Sequence, residues 1–289
     1  MNLSNENVIH IQKDGIEYLQ FRRLLEYKDR INHAYSLGVD RNYRTAEVNK
    51  KELEATKYQK ALKDYEDLCR AIGSDKNNLV KTNQEHTSEV KVVTEKINEQ
   101  APDFNLEKYN HTDGLITAQN DILLATTNAD CILMLFYDPA KNVIANTHSG
   151  WRGTMQRIAT KTVEKLIKQM GCNPEDIICC ICPSIRQCHF EVGEEVKEQF
   201  VKEFKELKSI ENWIKKGTSN EKWNIDTVWI NKEILKNQGL KEENIIDSKL
   251  CSMCHCDIIH SYRAEKEKYG LNVAVIEIKS KSMGTDIIE

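Results

Sequence analysis

Residues 128–153, NADCILMLFYDPAKNVIANTHSGWRG, decide how the chain folds. Two apolar runs flank Asp138-Pro139-Ala140-Lys141-Asn142, and Asp, Pro and Asn each favour a turn. The stretch reads as strand, turn, strand, glycine-rich loop and the start of a helix. The turn brings the chain back on itself, so Cys131 and His148 can face each other across a hairpin. A thiolate and an imidazole held close make either a metal site or a nucleophile–base pair, and both readings stand at this level.

His148 precedes Ser149-Gly150-Trp151-Arg152-Gly153 and a helical pattern. Two glycines let backbone approach a ligand closely, the helix start offers free N–H groups, and Arg152 adds a forked cation. That combination suits phosphate or carboxylate; the plainer reading is a strand-to-helix turn with a surface arginine. His86 stands in a polar break, Asn83-Gln84-Glu85-His86, between strand-like residues 79–82 and 90–94. Singly, a lone Cys packs and a loop His is solvated. Together, His86, Cys131 and His148 supply the ligand set of an open catalytic zinc site.

Outward from there, residues 8–21 read as an N-terminal hairpin turning at Lys13-Asp14-Gly15, and residues 31–35 as a short strand. Residues 45–72 read as a helix with one apolar stripe (Tyr58, Leu62, Tyr65, Leu68 or Cys69, Ile72) and a charged, solvated opposite face, stopped by Gly73. Residues 96–110 are polar and irregular. Residues 113–117 and 122–127 are strands, and Met155 to Met170 carries one clean helical stripe closed by Gly171. A buried strand is expected at 177–181, helices at 193–204 and 226–237, an exposed loop at 212–220 and a final strand at 271–278. Strands and helices without strict βαβ alternation argue for an α+β or mixed-sheet sandwich fold.

With 289 residues, 41 Lys plus Arg and 45 Asp plus Glu, the net charge is −4. This gives no reason to expect nucleic-acid binding. The first residues are polar and no run approaches a membrane span, so a cytoplasmic protein with no membrane contact is expected. Ten cysteines in such a chain are expected to be reduced. Cys172, Cys179, Cys180 and Cys182 read as small buried hydrophobes. Cys251-Ser252-Met253-Cys254-His255-Cys256 looks like a metal motif, but a structural zinc needs two separated ligand pairs, and the other Cys-x-x-Cys of the chain is Cys179-Cys180-Ile181-Cys182. The cluster at 179–182 lies in an apparent strand.

These motifs together resemble the laccase-domain family, also described as polyphenol oxidoreductases and as purine nucleoside phosphorylases, with some bacterial members described as peptidoglycan editing factors. The resemblance covers roughly residues 30–280. It rests on Gln84-Glu85-His86, DGLIT at 113–117, ADC at 129–131, HSGWRG at 148–153, PSIRQCHFEVGEEV at 183–196, the helix start at 226–231, CSMC at 251–254 and SYR at 261–263. It implies one domain over 1–289, in an α+β, four-layer α/β/β/α sandwich with mixed sheets, similar to cysteine hydrolases. It implies a metal, Zn2+ or alternatively copper, on His86, Cys131 and His148. The same three residues would be catalytic, with Gly150, Arg152, Ser184 and Arg263 contacting substrate. The implied activity is phosphorolysis of adenosine or inosine, with possible adenosine deamination, by a monomer or homodimer acting on purine nucleoside and phosphate.

The chain departs from the family pattern in places. His-Gly-Phe-Ser-Thr-Arg is His33-Ala34-Tyr35-Ser36-Leu37-Gly38, with Arg41 and Arg44 nearby, and an Asn-Arg pair in the long helix is Asp64-Tyr65. Gly before Pro-Ser-Ile is Cys182, and a second Arg after SYR is Ala264. Three other readings remain: a copper-dependent phenol oxidase, for which eight histidines are few; a Cys131–His148 hydrolase; and a non-catalytic editing or binding factor.

Overall fold

The computed structural model describes residues 1–45, 55–95, 109–207 and 209–280. The N-terminal hairpin forms as its turn chemistry predicts. β1 (Val8–Lys13) pairs antiparallel with β2 (Ile16–Phe21), Lys13 opposite Ile16. Asp14 and Gly15 between them have φ of 53° and 73°, the left-handed pair that matches a two-residue turn to strand twist. β2 runs into a single turn, α1 (Arg22–Leu25), and the chain returns as β3 (Ile31–Ser36).

β1, β2 and β3 continue through β15 (Asn272–Ile278) and β7 (Leu123–Asn128) to β4 (Leu79–Lys81) in one six-stranded sheet. The second six-stranded sheet runs β14 (Ile245–Asp247), β10 (Ile178–Ile181), β8 (Ile132–Asp138), β9 (Val143–Ser149), β6 (Gly114–Thr117), β5 (Val90–Val92). Both are mixed: β4–β7, β10–β14 and β5–β6 are parallel and the rest antiparallel. The 128–153 stretch is the central hairpin, with Ile132 opposite Ser149 and Leu133 opposite His148.

The twofold periodicity of a strand sorts β8 between two cores. Leu133, Leu135 and Tyr137 join Leu124, Ala274 and Ile276 of the first sheet in the apolar layer between the sheets. Met134 and Phe136 point the other way, into a second layer with Ile158, Val163 and Leu166 of α4 (Ile158–Met170) and Val228, Ile230 and Ile234 of α6 (Thr227–Asn237). A third layer packs Tyr65 and Leu68 of α2 (Ala55–Ile72) on Ala34, Leu123 and Val275. The order is helix, sheet, sheet, helix, an α+β fold with mixed sheets. β7, β8 and β9 are buried along their whole lengths, and β8 (ILMLFYD) accordingly reads as a continuous apolar run up to Asp138 rather than an alternating one.

Four expectations need correction or trimming. The stripe from Met155 to Met170 is two helices, α3 (Trp151–Met155) and α4, split where Arg157 has φ of 57°. The break aims the Arg157 guanidinium at Glu203 (2.7 Å) and Glu206 (2.5 Å), over the Phe204 ring beyond α5 (Glu194–Glu203). Residues 212–220 are not simply loop: β12 (Ile214–Lys216) joins β11 (Glu191–Gly193) and β13 (Lys222–Ile225) in a three-stranded sheet. Strands of three and four residues leave too little pattern to read. The charged face of α2 is not all solvated, since Asp64 and Asp67 are buried and share Arg41 at 3.0 and 3.4 Å. Residues 46–54 of the long helix reading and 96–108 of the irregular reading lie outside the described residues.

Candidate active site

Cys131 sits just before β8 and Gly150 just after β9, so the end of the hairpin ladder places them side by side. A Cβ on Gly150 would lie 3.1 Å from Cys131 Sγ and 2.6 Å from His86 Cδ2. Glycine at 150 is therefore required by contact, not by φ, which is an ordinary −66°. Gly153 is different: a Cβ there meets nothing closer than 3.4 Å. The helix after Gly150 is five residues long, so its dipole is a small contributor to anion binding.

His86 arrives from the β4–β5 loop in a left-handed conformation, φ 58°. Its Nε2 is 3.8 Å from Cys131 Sγ, and its ring meets that of His148 edge-on at 5.1 Å. The donor atoms of His86, Cys131 and His148 all lie within 4.8 Å of one another. Zinc bonds of about 2.3 Å to sulfur and 2.0–2.1 Å to nitrogen, at tetrahedral angles, put such donors about 3.6 Å apart. The donor set therefore fits a metal ion. His148 is buried, Cys131 half-buried and His86 exposed, so the accessible side of the cluster is the His86 side.

Asp113 holds the cluster together, and the sequence reading did not single it out. Its fully buried carboxylate accepts from the backbone N–H groups of Glu85 (3.3 Å), His86 (3.1 Å) and Thr87 (2.9 Å), from Thr87 Oγ1 (2.7 Å) and from His148 Nδ1 (2.8 Å). One side chain fixes the loop carrying His86 and the tautomer of His148, leaving His148 Nε2 for the site. An Asp opening an apolar strand reads locally as a turn residue, and nothing nearby signals that five donors converge on it.

Electrostatics follow from this contact set. Burial pushes the Cys131 thiol up, but the imidazoles of His148 and His86 outweigh it and bring the thiol down to about 6. Burial likewise disfavours charge on His148, yet the Cys131 thiolate and the Asp113 carboxylate raise it to about 10. Both shifts describe one thiolate–imidazolium pair, the pairing a thiol needs to act as ligand or nucleophile.

The other expected site residues are dispersed. Arg152 is exposed, stacks on the Trp151 ring at 4.2 Å, and its guanidinium has no hydrogen-bond or ion-pair partner among the described residues. Arg263 donates to the carbonyls of His189 (2.8 Å) and Glu191 (3.3 Å). Ser184 is fully buried with its Oγ unpartnered. Arg41 is engaged by Asp64 and Asp67, and Arg44 by the Tyr269 carbonyl and ring. Cys179, Cys180 and Cys182 are buried among core residues, all ten cysteines are free, and Asn231 Nδ2 anchors Thr154 Oγ1 at 3.0 Å behind Gly150. Asp130, the middle residue of the ADC motif, has φ of 82° and accepts from Ser252 Oγ (2.6 Å), Ser261 Oγ (2.7 Å) and Arg263 N–H (2.7 Å).

Fold and site define an α+β protein with a two-histidine, one-cysteine cluster at the end of a buried hairpin. The chain belongs to the multi-copper polyphenol oxidoreductase laccase family, whose model matches residues 39–279. It is 28% identical over 218 residues to purine nucleoside phosphorylase YlmD of Bacillus subtilis, covering 75% of this chain and 77% of that protein. It is 31% identical over 205 residues to adenosine deaminase RL5 from an unknown prokaryotic organism, covering 71% and 75%. Among solved structures it superposes on a Bacillus licheniformis hypothetical protein, YfiH, with a TM-score of 0.78 at 22% identity, covering 91% of this chain and 96% of that one. YlmD from Geobacillus stearothermophilus gives 0.78 at 20% identity, covering 94% and 100%. Among the described residues no helix is long and apolar enough to cross a membrane.

Proposed function

We propose that the chain is a zinc-dependent, cytoplasmic purine nucleoside enzyme that cleaves adenosine or inosine with phosphate and can deaminate adenosine. The observation that carries this reading is the convergence of His86, Cys131 and His148 within 4.8 Å, with one side open for a small molecule. Relatives named purine nucleoside phosphorylase and adenosine deaminase support the substrate class.

His86, Cys131 and His148 would hold the ion, which when bound supplies a Lewis acid at this position. Asp113 keeps the His148 Nδ1 proton and so fixes which nitrogen faces the site. Arg152, braced on Trp151, is the free guanidinium that can take two oxygens of a phosphate with its fork. Gly150 keeps space beside His86 and Cys131 clear. In phosphorolysis the phosphate oxygen bonds to the ribose anomeric carbon as the bond to the purine nitrogen breaks, and the departing base gains a proton.

Metal-replete protein given inosine and phosphate is expected to release hypoxanthine and ribose 1-phosphate, and given adenosine to release ammonia. Cys131→Ala should abolish both. Absence of free base and of ammonia from wild type refutes the reading.

A second reading has its own observation: Cys131, His148 and Asp113 also form a nucleophile, base and orienting carboxylate, with His148 Nδ1 at 2.8 Å from Asp113. It predicts that Cys131 alkylates equally fast with and without chelator, whereas a metal ligand is protected until the metal is stripped.

A further inference from the structure

A second group of metal-binding side chains lies away from the cluster just described. Cys188 and His189 come from the turn between β10 and β11, and Cys251 and Cys254 from the turn that follows β14. The other Cys-x-x-Cys, Cys179 to Cys182, is buried in and beside β10 and cannot complete a knuckle with 251–254; the fold supplies an adjacent Cys-His instead.

Their spacing is specific. Cys188 Sγ lies 3.7 Å from Cys251 Sγ and 3.9 Å from Cys254 Sγ. His189 Nδ1 lies 3.2, 3.7 and 3.5 Å from the sulfurs of Cys188, Cys251 and Cys254. A tetrahedral zinc with bonds of about 2.3 Å to sulfur and 2.0–2.1 Å to nitrogen requires about 3.8 Å between sulfurs and about 3.6 Å from sulfur to nitrogen. The sulfurs are far beyond the roughly 2.05 Å of a disulfide, and one nitrogen shares the same centre.

We infer that Cys188, His189, Cys251 and Cys254 form a structural zinc site. Four protein ligands close the coordination sphere, so the ion serves architecture and not catalysis. Three thiolates with one imidazole favour zinc over harder cations.

The backbone already sets the two turns in register. Ser184 bridges Cys251, with Ser252 N–H donating to the Ser184 carbonyl at 3.0 Å. The knuckle then fixes what is built on it: Arg263 is tied to the carbonyl of the ligand residue His189, and Asp130, next to Cys131, holds Ser252 and the Arg263 N–H.

The test is metal content of the full chain, independent of turnover. Wild type should carry two equivalents of zinc, Cys254→Ser one and Cys131→Ser one, so failure here is distinguishable from failure of the first site. Cys254 is exposed, so its serine variant should fold; circular dichroism checks this. Cobalt substitution of wild type should give the strong visible bands of a thiolate-rich tetrahedral centre, retained in Cys131→Ser and lost in Cys254→Ser. Unchanged metal content and cobalt spectrum in a folded Cys254→Ser protein overturn the inference. So does a denatured wild type showing two fewer reactive thiols than the ten free cysteines, which would mean a disulfide there.

Discussion

Gly150→Ala tests the geometry of the three-donor cluster without removing a donor. The new Cβ would lie 2.6 Å from His86 Cδ2, and ordinary contact begins at 3.4 Å, so the imidazole must retreat by about 0.8 Å. Metal bonds tolerate about 0.2 Å. His86 is the ligand that yields, since it sits on an exposed loop whereas His148 is buried in a strand. The ion then keeps two good ligands and one poor one, and zinc affinity should fall about 10- to 100-fold, as when a supporting partner is lost, equivalent to about 1.4–2.8 kcal/mol. Stability of the metal-free chain should change little, because the overlap is relieved at the surface. Competition of zinc between protein and a chromophoric chelator, with thermal unfolding of the apo form alongside, measures both. A Gly150→Ala protein binding zinc as tightly as wild type would show that the three donors do not converge on one ion.

Four further outcomes follow from named contacts. Asp113→Asn leaves an acceptor but removes the charge facing His148 Nδ1, and should weaken zinc binding about 10- to 100-fold, read by the same competition assay; unchanged affinity would count against its orienting role. Arg152→Ala removes the free guanidinium and should raise the KM for phosphate by about tenfold or more, the worth of a charge-assisted hydrogen bond, while leaving Tm nearly unchanged; an unaltered KM in phosphate titrations would move the anion elsewhere. Asp247→Ala leaves Arg186 without its two 2.6 Å bonds and should cost about 3–5 kcal/mol in urea unfolding; a loss below about 1 kcal/mol would show the pair is effectively solvated. Buried His33, whose Nε2 accepts the Phe21 N–H at 2.8 Å, is held down by burial to about 3 from 6.5; below pH 6.5 the unfolded chain binds a proton that the folded chain refuses, so stability present above 6.5 is lost as pH falls toward 3, by about 2 kcal/mol between pH 6.5 and 5, and a His33→Gln protein showing the wild-type pH slope would refute this.

The parts of the fold legible in sequence were those with long or chemically marked patterns. The 128–153 hairpin declared itself because apolar runs, 132–137 and 143–145, flank a turn of Asp-Pro-Ala-Lys-Asn. Gly73 and Gly171 ended their helices as expected, with φ of 77° and 67°. What escaped was set by tertiary contact. The helix break at Arg157 answers to acidic partners 46 and 49 residues away, and the strands at 191–193 and 214–216 are too short to carry a period. At the site, His86, Cys131 and His148 could be proposed because ligand residues are chemically conspicuous. Asp113 and Asp130 stood inside the DGLIT and ADC motifs without a legible role, since each works through what converges on it. The knuckle at 251–254 was visible only as half a motif, its other half being an adjacent Cys-His 62 to 63 residues upstream.

The two arginines expected near substrate now separate by what already occupies them. Arg263 has two of its N–H groups on the backbone carbonyls of residues 189 and 191, and its own N–H on Asp130. To swing toward an anion it would leave buried or half-buried acceptors unpaired, at about 1–3 kcal/mol each. Arg152 carries no such penalty: it is exposed, its only polar engagement among the described residues is the Trp151 face, and that stacking restrains it beside Gly150 without using the fork. Under the proposed function an incoming phosphate is therefore expected to meet Arg152, while Arg263 is tied into the framework that joins the 186–191 turn to Asp130. Among the described residues, Arg152 is the one arginine whose guanidinium has no hydrogen-bond or ion-pair partner, and it stands where the hairpin ends.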